Sequence, residues 1–373
     1  MQRKIGTPTT RFPTAAALVA LAAAVIIAGC SNAGAAGGGS DGSDEDAPGS
    51  PGGSTVFSAA GVTWTMRYVP GKSTFTENDD AGSATVNLDF LLGETEVTYE
   101  LRRAVYDWAV NSTGSADGEG AYSFANPGRE GHDGSEGAAP TSADQEPVTD
   151  VNWRDAMAWT NALTEWYNAQ TGSALEPVYY SDSSFSAPIR SVTDSSSISY
   201  ESGPGANDGS QDDPYVKADA DGFRLPGINE WELAARFIED TNADGDIMDP
   251  GEYYPGSYAS GADARYDASS AASDVDGDGD QDTSSDVAWY GANSGSTTHP
   301  VSTKEANALG FHDMSGNVWE WNFDWISEGI SRGLRGSSWS HQDFDLPVGY
   351  VETFGNPYDN DDTISFRIAK SSD

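Results

Sequence analysis

Gly316-Asn317-Val318-Trp319-Glu320-Trp321 is the most distinctive stretch of this chain. The run that leads into it contains Asn307-Ala308-Leu309-Gly310 and Asp313-Met314-Ser315. Aromatic side chains bury a large apolar area, so the two tryptophans of this stretch are predicted to pack in the core. The same prediction applies to three further tryptophans of the chain: Trp231, Trp325 and Trp339.

A second block lies about ninety residues upstream and reads Gly222-Phe223-Arg224-Leu225-Pro226. It predicts a strand end followed by a helix from Ile228 to about Phe237, with Gly227 as its N-cap and Glu230 reaching back toward that cap. Arg224 and Arg367 are predicted to pair with buried acids or carbonyl groups.

Two other helices follow from capping and periodicity. Thr98 is a plausible N-cap for a helix from Tyr99 to about Val110, and Asn152 for a helix that ends at Gly172. Alternation over residues 62–69 and 85–90 predicts strands. Since these elements are few and short and irregular chain predominates, the predicted class is α+β.

The order of these blocks resembles the sulfatase-modifying-factor (formylglycine-generating-enzyme) domain over about residues 55–372. The resemblance implies a compact fold related to C-type lectins. Catalytic members of the family oxidise a cysteine of a client sulfatase to formylglycine, with two cysteines of their own that bind copper. The remaining blocks that carry the resemblance are Val148-x-x-Val151-x-Trp153-x-Asp155-Ala156, Arg335-Gly336-x-Ser338-Trp339 and Phe366-Arg367.

The chain departs from the catalytic members at the cysteines. By the resemblance, the two cysteine positions fall near His341 and Leu346, and neither side chain supplies a thiolate. Copper is not expected, because soft Cu(I) needs soft ligands. Ser337 replaces the second glycine of the family, and Asn322 stands where relatives often have a cysteine. The active-site turn is therefore interpreted as degenerate, without an assigned catalytic residue, around Ser338, His341 and Asp343.

The iron-dependent sulfoxide-synthase relatives require a histidine-rich facial site. The chain has four histidines, and none lies within five residues of another, so the sequence does not support such a site. His341 is the histidine of interest, because it lies in the old active-site turn. The others are His132, His299 and His312.

The N-terminus predicts export and lipid attachment. Three basic residues precede the apolar run 15–28, which has the length of a signal-peptide core, and Ile27-Ala28-Gly29-Cys30 resembles a lipoprotein processing site. Residues 1–29 are predicted to be a lipoprotein signal peptide. Cys30, the only cysteine, is predicted to carry the lipid that anchors the chain to the cell envelope. Residues 30–54 then form a Gly/Ser/Asp-rich tether before a domain over 55–373.

The charge balance excludes one class of partner. The chain has 19 basic and 59 acidic residues, and its formal net charge is −40. This excess argues against nucleic acid and against anionic lipid headgroups, and it favours solubility and cation binding.

Two acidic segments within an insertion at about 240–286 have the ligand spacing of calcium loops. Hard oxygen ligands alternate around a tight turn that glycine permits, as in EF-hand loops, although neither segment has Glu at position twelve. Calcium is therefore the predicted cofactor. The candidate ligands are Asp240, Asn242, Asp244 and Asp246 in the first segment and Asp274, Asp276, Asp278 and Asp280 in the second.

The family resemblance implies a third calcium site around the Gly-Asn-Val-Trp-Glu block. The positions that match the family's ligands are Asp313, Gly316, Val318 and Glu320, and all four are chemically intact.

Three functions remain open on the sequence alone. The favoured one is a non-catalytic, membrane-anchored lipoprotein that binds a glycan or protein ligand, with Tyr350, Phe354 and Tyr358 as candidate contacts near the old cleft. The second is an active sulfatase-modifying enzyme or another metal-dependent oxidoreductase with an altered site that uses His341. The third is a structural component of the envelope or of a protein assembly.

Overall fold

The computed structural model describes residues 48–111, 118, 120–141, 145–198, 208–268, 275–277 and 282–372. These residues form four α-helices, α1 (Tyr99–Val110), α2 (Trp153–Thr171), α3 (Ile228–Arg236) and α4 (Ser284–Val287). The strands are β1 (Ser54–Ala59), β2 (Val62–Val69), β3 (Ser73–Glu77), β4 (Gly82–Val86), β5 (Phe90–Gly93), β6 (Arg129–Glu130), β7 (Val148–Thr149), β8 (Tyr179–Tyr180), β9 (Tyr215–Val216), β10 (Phe223–Arg224), β11 (Asp246–Ile247), β12 (Trp319–Ser327), β13 (Ser331–Arg335), β14 (Glu352–Gly355), β15 (Ile364–Ser365) and β16 (Ala369–Ser371).

Three small sheets contain twelve of these strands, and the pairs β6-β7 and β8-β9 form two further two-stranded sheets. A five-stranded antiparallel sheet has the order β1-β2-β5-β16-β10, so the last strand of the chain lies between strands from its beginning and its middle. A mixed four-stranded sheet has the order β14-β13-β12-β15, and a three-stranded sheet has the order β11-β3-β4. Short strands in small sheets joined by long irregular segments confirm the predicted α+β class.

The helices begin where the capping residues predict. The Asn152 side chain accepts a 2.8 Å hydrogen bond from the backbone N–H of Asp155, and Gly172 ends α2 in the left-handed conformation with φ of 75°. Thr98 caps α1, and the Glu230 carboxylate accepts a 2.7 Å bond from the N–H of Gly227 at the start of α3. The predicted strand 85–90 is instead two strands, because residues 87–89 leave the ladder between β4 and β5.

Two large hydrophobic clusters form the core, one around α1 and α2 and the other around α3. Trp231, Trp319, Trp321 and Trp339 are buried as predicted. Trp325 is only half-buried, and the Arg332 guanidinium stacks on its ring at 3.6 Å from the centroid. The prediction of core packing is therefore wrong for this residue. Among the described residues, no helix is both long and apolar enough to cross a membrane.

A buried ion pair joins the two clusters. Arg367 donates from Nε to Glu320 Oε2 and from Nη2 to Glu320 Oε1, each at 2.6 Å, and Trp231 Nε1 donates to Oε2 at 2.7 Å. Arg367 also donates to the backbone oxygens of Gly93, Glu94 and His312. The predicted pairing of Arg367 with a buried acid is confirmed, and Arg224 likewise pairs with Glu230 at 2.6 Å.

Replacing Arg367 with leucine is expected to lower the free energy of unfolding by about 3–5 kcal/mol, because Glu320 would remain buried without its partner. The matched control is Arg265→Leu, which removes an ion pair with Asp267 on an arginine that is 55% exposed. Its expected change is within about 0.5 kcal/mol. Urea unfolding of both variants measures the difference in their free energies of unfolding. Equal losses of stability in the two variants would contradict the conclusion that the Arg367–Glu320 pair stabilises the core.

Candidate functional site

A cleft of about 730 Å³ lies on one face of the four-stranded sheet. Each strand contributes to its lining, with Trp319 from β12, Leu334 from β13, Phe354 from β14 and Ile364 from β15. The turn after β13 adds Ser340 and His341, and the loop before β15 adds Tyr358, Asp359, Asn360 and Asp361. This is the face that carries the degenerate turn.

The turn fixes the imidazole of His341. Ser338 Oγ and His341 Nδ1 are 2.6 Å apart, and the His341 ring meets Trp319 edge-on at 5.3 Å between centroids. A serine beside a histidine resembles a nucleophile with its base. Ser338, however, is completely buried, so a substrate in the cleft does not reach its hydroxyl. The geometry supports a role in orienting His341.

The two positions that match the family's cysteines differ in their surroundings. His341 is half-buried and lines the cleft, whereas Leu346 is fully buried among apolar side chains away from it. Asp343 lies at the start of a short 3-10 turn and is half-buried. Asp345 is the acid whose charge interacts with His341: burial raises the pKa of its carboxyl, and His341 partly offsets that rise. The sequence analysis missed Asp345.

The remaining histidines lie in other environments. His132 Nδ1 is 2.9 Å from Asp362 Oδ2, His299 stacks on Trp289 at 3.7 Å, and His312 Nδ1 is 2.8 Å from the backbone oxygen of Lys304. Within the described ranges, no three His, Cys, Asp or Glu side chains gather in a group able to hold a metal ion. Cys30 lies outside those ranges.

The charged side chains that line the cleft are acidic. Glu352, Asp359 and Asp361 line it, and no lysine or arginine does so in the described part of the chain. Each of these carboxylates accepts hydrogen bonds from backbone N–H groups of its own segment, such as those of Thr353, Asn356 and Thr363. The cleft therefore presents fixed negative charge beside aromatic surface. Phe354, which is 83% exposed, is the most exposed large apolar side chain.

The four positions that the family resemblance assigns to calcium run from the turn at Asp313 and Gly316, through Val318, to Glu320 in β12. Asp313 and Gly316 both have left-handed backbone conformations, with φ of 58° and 84°. Asp313 Oδ2 accepts a 2.7 Å bond from the N–H of Ser302, whereas its buried Oδ1 has no partner. An orphaned carboxylate oxygen fits a hard cation. Both oxygens of Glu320, in contrast, are held by Arg367.

Glu96 also belongs to this neighbourhood, and the sequence analysis missed it. Its Oε1 accepts a 3.2 Å bond from the side-chain amide of Asn317, and its buried Oε2 has no partner. Burial raises its pKa well above the usual value, and the charges of Asp313 and Glu320 raise it further. Burial is also the main cause that raises the pKa of Asp313.

The first acidic segment forms a tight, self-bonded loop. Asp240, Asn242 and Asp244 accept bonds from the N–H groups of Gly245, Asp244 and Asp246, respectively. The loop is fixed to the domain by the buried Ile247, which pairs in parallel with β3, and by the buried Glu252. Asp240 Oδ1 is buried without a partner.

Only part of the second acidic segment can be located. Asp276 Oδ2 accepts a 2.6 Å bond from the hydroxyl of Tyr254, while Asp274, Asp278 and Asp280 lie outside the described residues.

Ser337, which replaces the second glycine of the family, is expected to destabilise the turn after β13. It has φ of 71°, it is fully buried and its hydroxyl has no partner. Ser337→Gly is expected to raise the free energy of unfolding by about 1 kcal/mol, since the left-handed conformation costs a non-glycine residue about 1–2 kcal/mol and a buried unpaired hydroxyl adds to this. Thermal unfolding of this variant beside Ser337→Ala, which removes the hydroxyl alone, separates the two costs. A glycine variant less stable than the parent would refute the prediction.

Two curated proteins are similar in sequence to parts of this chain. The chain is 28% identical over 202 residues to "Chaperone protein LppX" of Paenibacillus barcinonensis. The aligned region covers 52% of this chain and 60% of that protein. The chain is also 33% identical over 93 residues to "Serine/threonine-protein kinase Pkn1" of Chlamydia trachomatis. This aligned region covers 20% of this chain and 15% of the kinase. The chain thus spans less than two thirds of either curated relative.

Solved structures share the fold over most of the chain. "Treponema denticola variable protein 1" superposes with a TM-score of 0.56 at 25% identity, covering 86% of this chain and 99% of that one. CarF superposes with a TM-score of 0.55 at 24% identity, covering 82% and 97%. The family model of the sulfatase-modifying factor enzyme 1-like domain matches residues 51–372. The chain therefore belongs to the sulfatase-modifying factor enzyme 1-like (FGE-sulfatase) family.

Proposed function

We propose that this chain is a lipid-anchored envelope protein that uses the family's cleft to bind a partner protein without modifying it. The observation that carries the proposal is a cleft of about 730 Å³ that is kept open while the positions matching the family's cysteines are His341 and Leu346. Binding needs shape and charge, whereas cysteine oxidation by the family's route needs thiolates.

The charge of the cleft supports a basic protein segment as the ligand. Three carboxylates line the cleft, and no lysine or arginine is among its described lining residues, so the cleft would attract a cationic chain. The exposed ring of Phe354 offers cation–π contact to its side chains. The name of the chaperone relative adds support for a protein ligand. Attachment through Cys30 would place the domain outside the cytoplasm at the membrane surface.

Calcium is the proposed cofactor, with a structural role. Asp240, Asn242, Asp244 and Asp246 form one site, and Asp313 with the backbone oxygens of its turn forms another. A divalent cation at either site would neutralise clustered carboxylates and stabilise the folded state by mass action.

Phe354→Ala is expected to weaken binding of a fluorescent octapeptide of alternating lysine and phenylalanine, because it removes exposed aromatic surface from the cleft. The matched control is Ile330→Ala, which changes a side chain that is 58% exposed at the β12–β13 turn and does not line the cleft. Fluorescence anisotropy should show a several-fold higher Kd for the first variant only, at unchanged melting temperature.

Three further ligands test the chemistry of the cleft. A peptide with glutamate in place of lysine should not bind, and added salt should weaken the lysine peptide. Binding of a neutral oligosaccharide in preference to the lysine peptide would overturn the protein-ligand proposal. Oxidation of a cysteine peptide by the purified protein would overturn the non-catalytic one.

Removal of calcium is expected to lower the melting temperature. With the affinity of extracellular calcium modules, about 0.1–1 mM, 10 mM calcium would add about 1.5–2.7 kcal/mol per site. Differential scanning calorimetry in EDTA and in calcium measures this gain, and magnesium at the same concentration controls for ionic strength. Identical melting curves in EDTA and calcium would refute the cofactor proposal.

A further inference from the structure

Among the described residues that are almost fully buried, two have a carboxylate oxygen without a hydrogen-bond partner. The two oxygens are Oε2 of Glu96 and Oδ1 of Asp313, on residues that are only 1% and 2% exposed. A buried carboxylate oxygen without a hydrogen bond costs considerable free energy, so native proteins rarely retain one without an ion or a water molecule.

The buried charges around these atoms do not balance. Glu96, Asp313 and Glu320 are three fully buried acids, and the guanidinium of Arg367, which interacts electrostatically with all three, contacts only Glu320 among them, in a bidentate pair. The partners of Glu96 and Asp313 are a neutral amide and a backbone N–H. When ionised, the group carries a net charge of minus two, which one divalent cation would neutralise.

Nearby cationic side chains are engaged elsewhere. Lys304 donates to the backbone oxygen of Ser285 and lies over the ring of Trp289. His312 Nδ1 is bonded to the backbone oxygen of Lys304. Neither makes a hydrogen bond to the two orphaned oxygens.

The position of Glu96 links it to the turn that carries Asp313. Asn317, which donates to Glu96 Oε1, stands between Gly316 and Val318 in the sequence. Ser302, which donates to Asp313 Oδ2, lines with Glu96 a cavity of about 230 Å³. Asp313, Gly316 and Val318 do not line this cavity, so the contacts of Asn317 and Ser302 carry the proximity of Glu96 to Asp313.

We propose that Glu96 is a calcium ligand at the Asp313 site, in the place that the family resemblance gives to Glu320. Glu320 instead accepts hydrogen bonds from Arg367 and Trp231. The ligands would be two carboxylates, the backbone oxygens of Gly316 and Val318, and water, which suits a cation that takes six to eight oxygens. Such a set contains two acids and would take its remaining oxygens from the backbone and from water. The inference rests on the calcium proposal above.

The experiment uses the full chain in detergent micelles, with the first acidic loop disabled by Asp240→Asn and Asp244→Asn. We combine this double substitution with Glu96→Gln and, separately, with the matched control Glu94→Gln. Glu94 lies two residues away and pairs with Arg67 at 2.9 Å, outside the orphaned pair. Titration with calcium, followed by calorimetry and by tryptophan-sensitised terbium luminescence, gives affinity at each site.

Glu96→Gln is expected to lower calcium affinity roughly tenfold or more, because calcium affinity follows the number and charge of ligands. In EDTA the same variant should be at least as stable as its parent, since an amide is cheaper to bury than a carboxylate. Glu94→Gln should leave the calcium affinity unchanged.

The possible failures can be told apart. Equal calcium affinity in parent and Glu96→Gln would refute the role of Glu96 and leave the calcium site intact. A variant that is destabilised equally in EDTA and in calcium, or that fails to fold, would show a merely structural residue and also refute it. Absence of titratable calcium binding in the parent background would refute the proposed calcium site at the Asp313 turn, and the inference with it, whereas the first acidic loop is tested by the same titration of the unmodified chain.

Discussion

The buried pair of Glu320 and Arg367 connects distant segments of this domain through hydrogen bonds. Arg367 lies just before the last strand, and its guanidinium donates to backbone oxygens of residues 93, 94 and 312. Glu320 adds Trp231 of α3 to the same unit. Two charges removed from water are favourable only when their hydrogen bonds are nearly complete, so this geometry constrains three chain segments at once. Trp319, the neighbour of Glu320, is thereby positioned at the floor of the cleft.

The cleft shows how a family scaffold can change its chemistry while keeping its shape. Its floor belongs to the sheet, so it survives as long as the core packs. The chemistry of the family's catalytic members, in contrast, belongs by the family resemblance to two side chains on one turn, and the matching positions are expected near His341 and Leu346. The Ser338–His341 bond rigidifies that turn without exposing a nucleophile. What remains is a negatively charged aromatic surface, which is suited to recognition.

The acidic excess of the chain is unevenly distributed between surface and interior. Most carboxylates are solvated, but Glu96 and Asp313 are buried with an oxygen unpaired. Desolvation opposes their ionised forms, and this is the main reason that their pKa values are raised. A protein outside the cytoplasm that relied on calcium for this compensation would gain stability only where the cation is abundant.

The sequence by itself determined the features that neighbouring residues encode. Asn152 and Gly172 delimit α2, and Glu230 caps α3, because capping is an interaction over three or four residues. The order of the tryptophan-rich blocks was sufficient to identify the family. The predicted strand over 85–90 failed because local alternation does not reveal where a ladder loses its partner strand.

Only the tertiary structure decided which distant side chains meet. Asn317 and Glu96 are 221 positions apart, so no spacing rule brings Glu96 to the Asp313 turn. The cleft likewise combines residues from four strands and two loops, and His341 partly offsets the raised pKa of Asp345 through space. Burial and charge at a site depend on the whole packed chain, because the dielectric surroundings of a carboxylate are set by all the atoms around it and not by its neighbours in sequence.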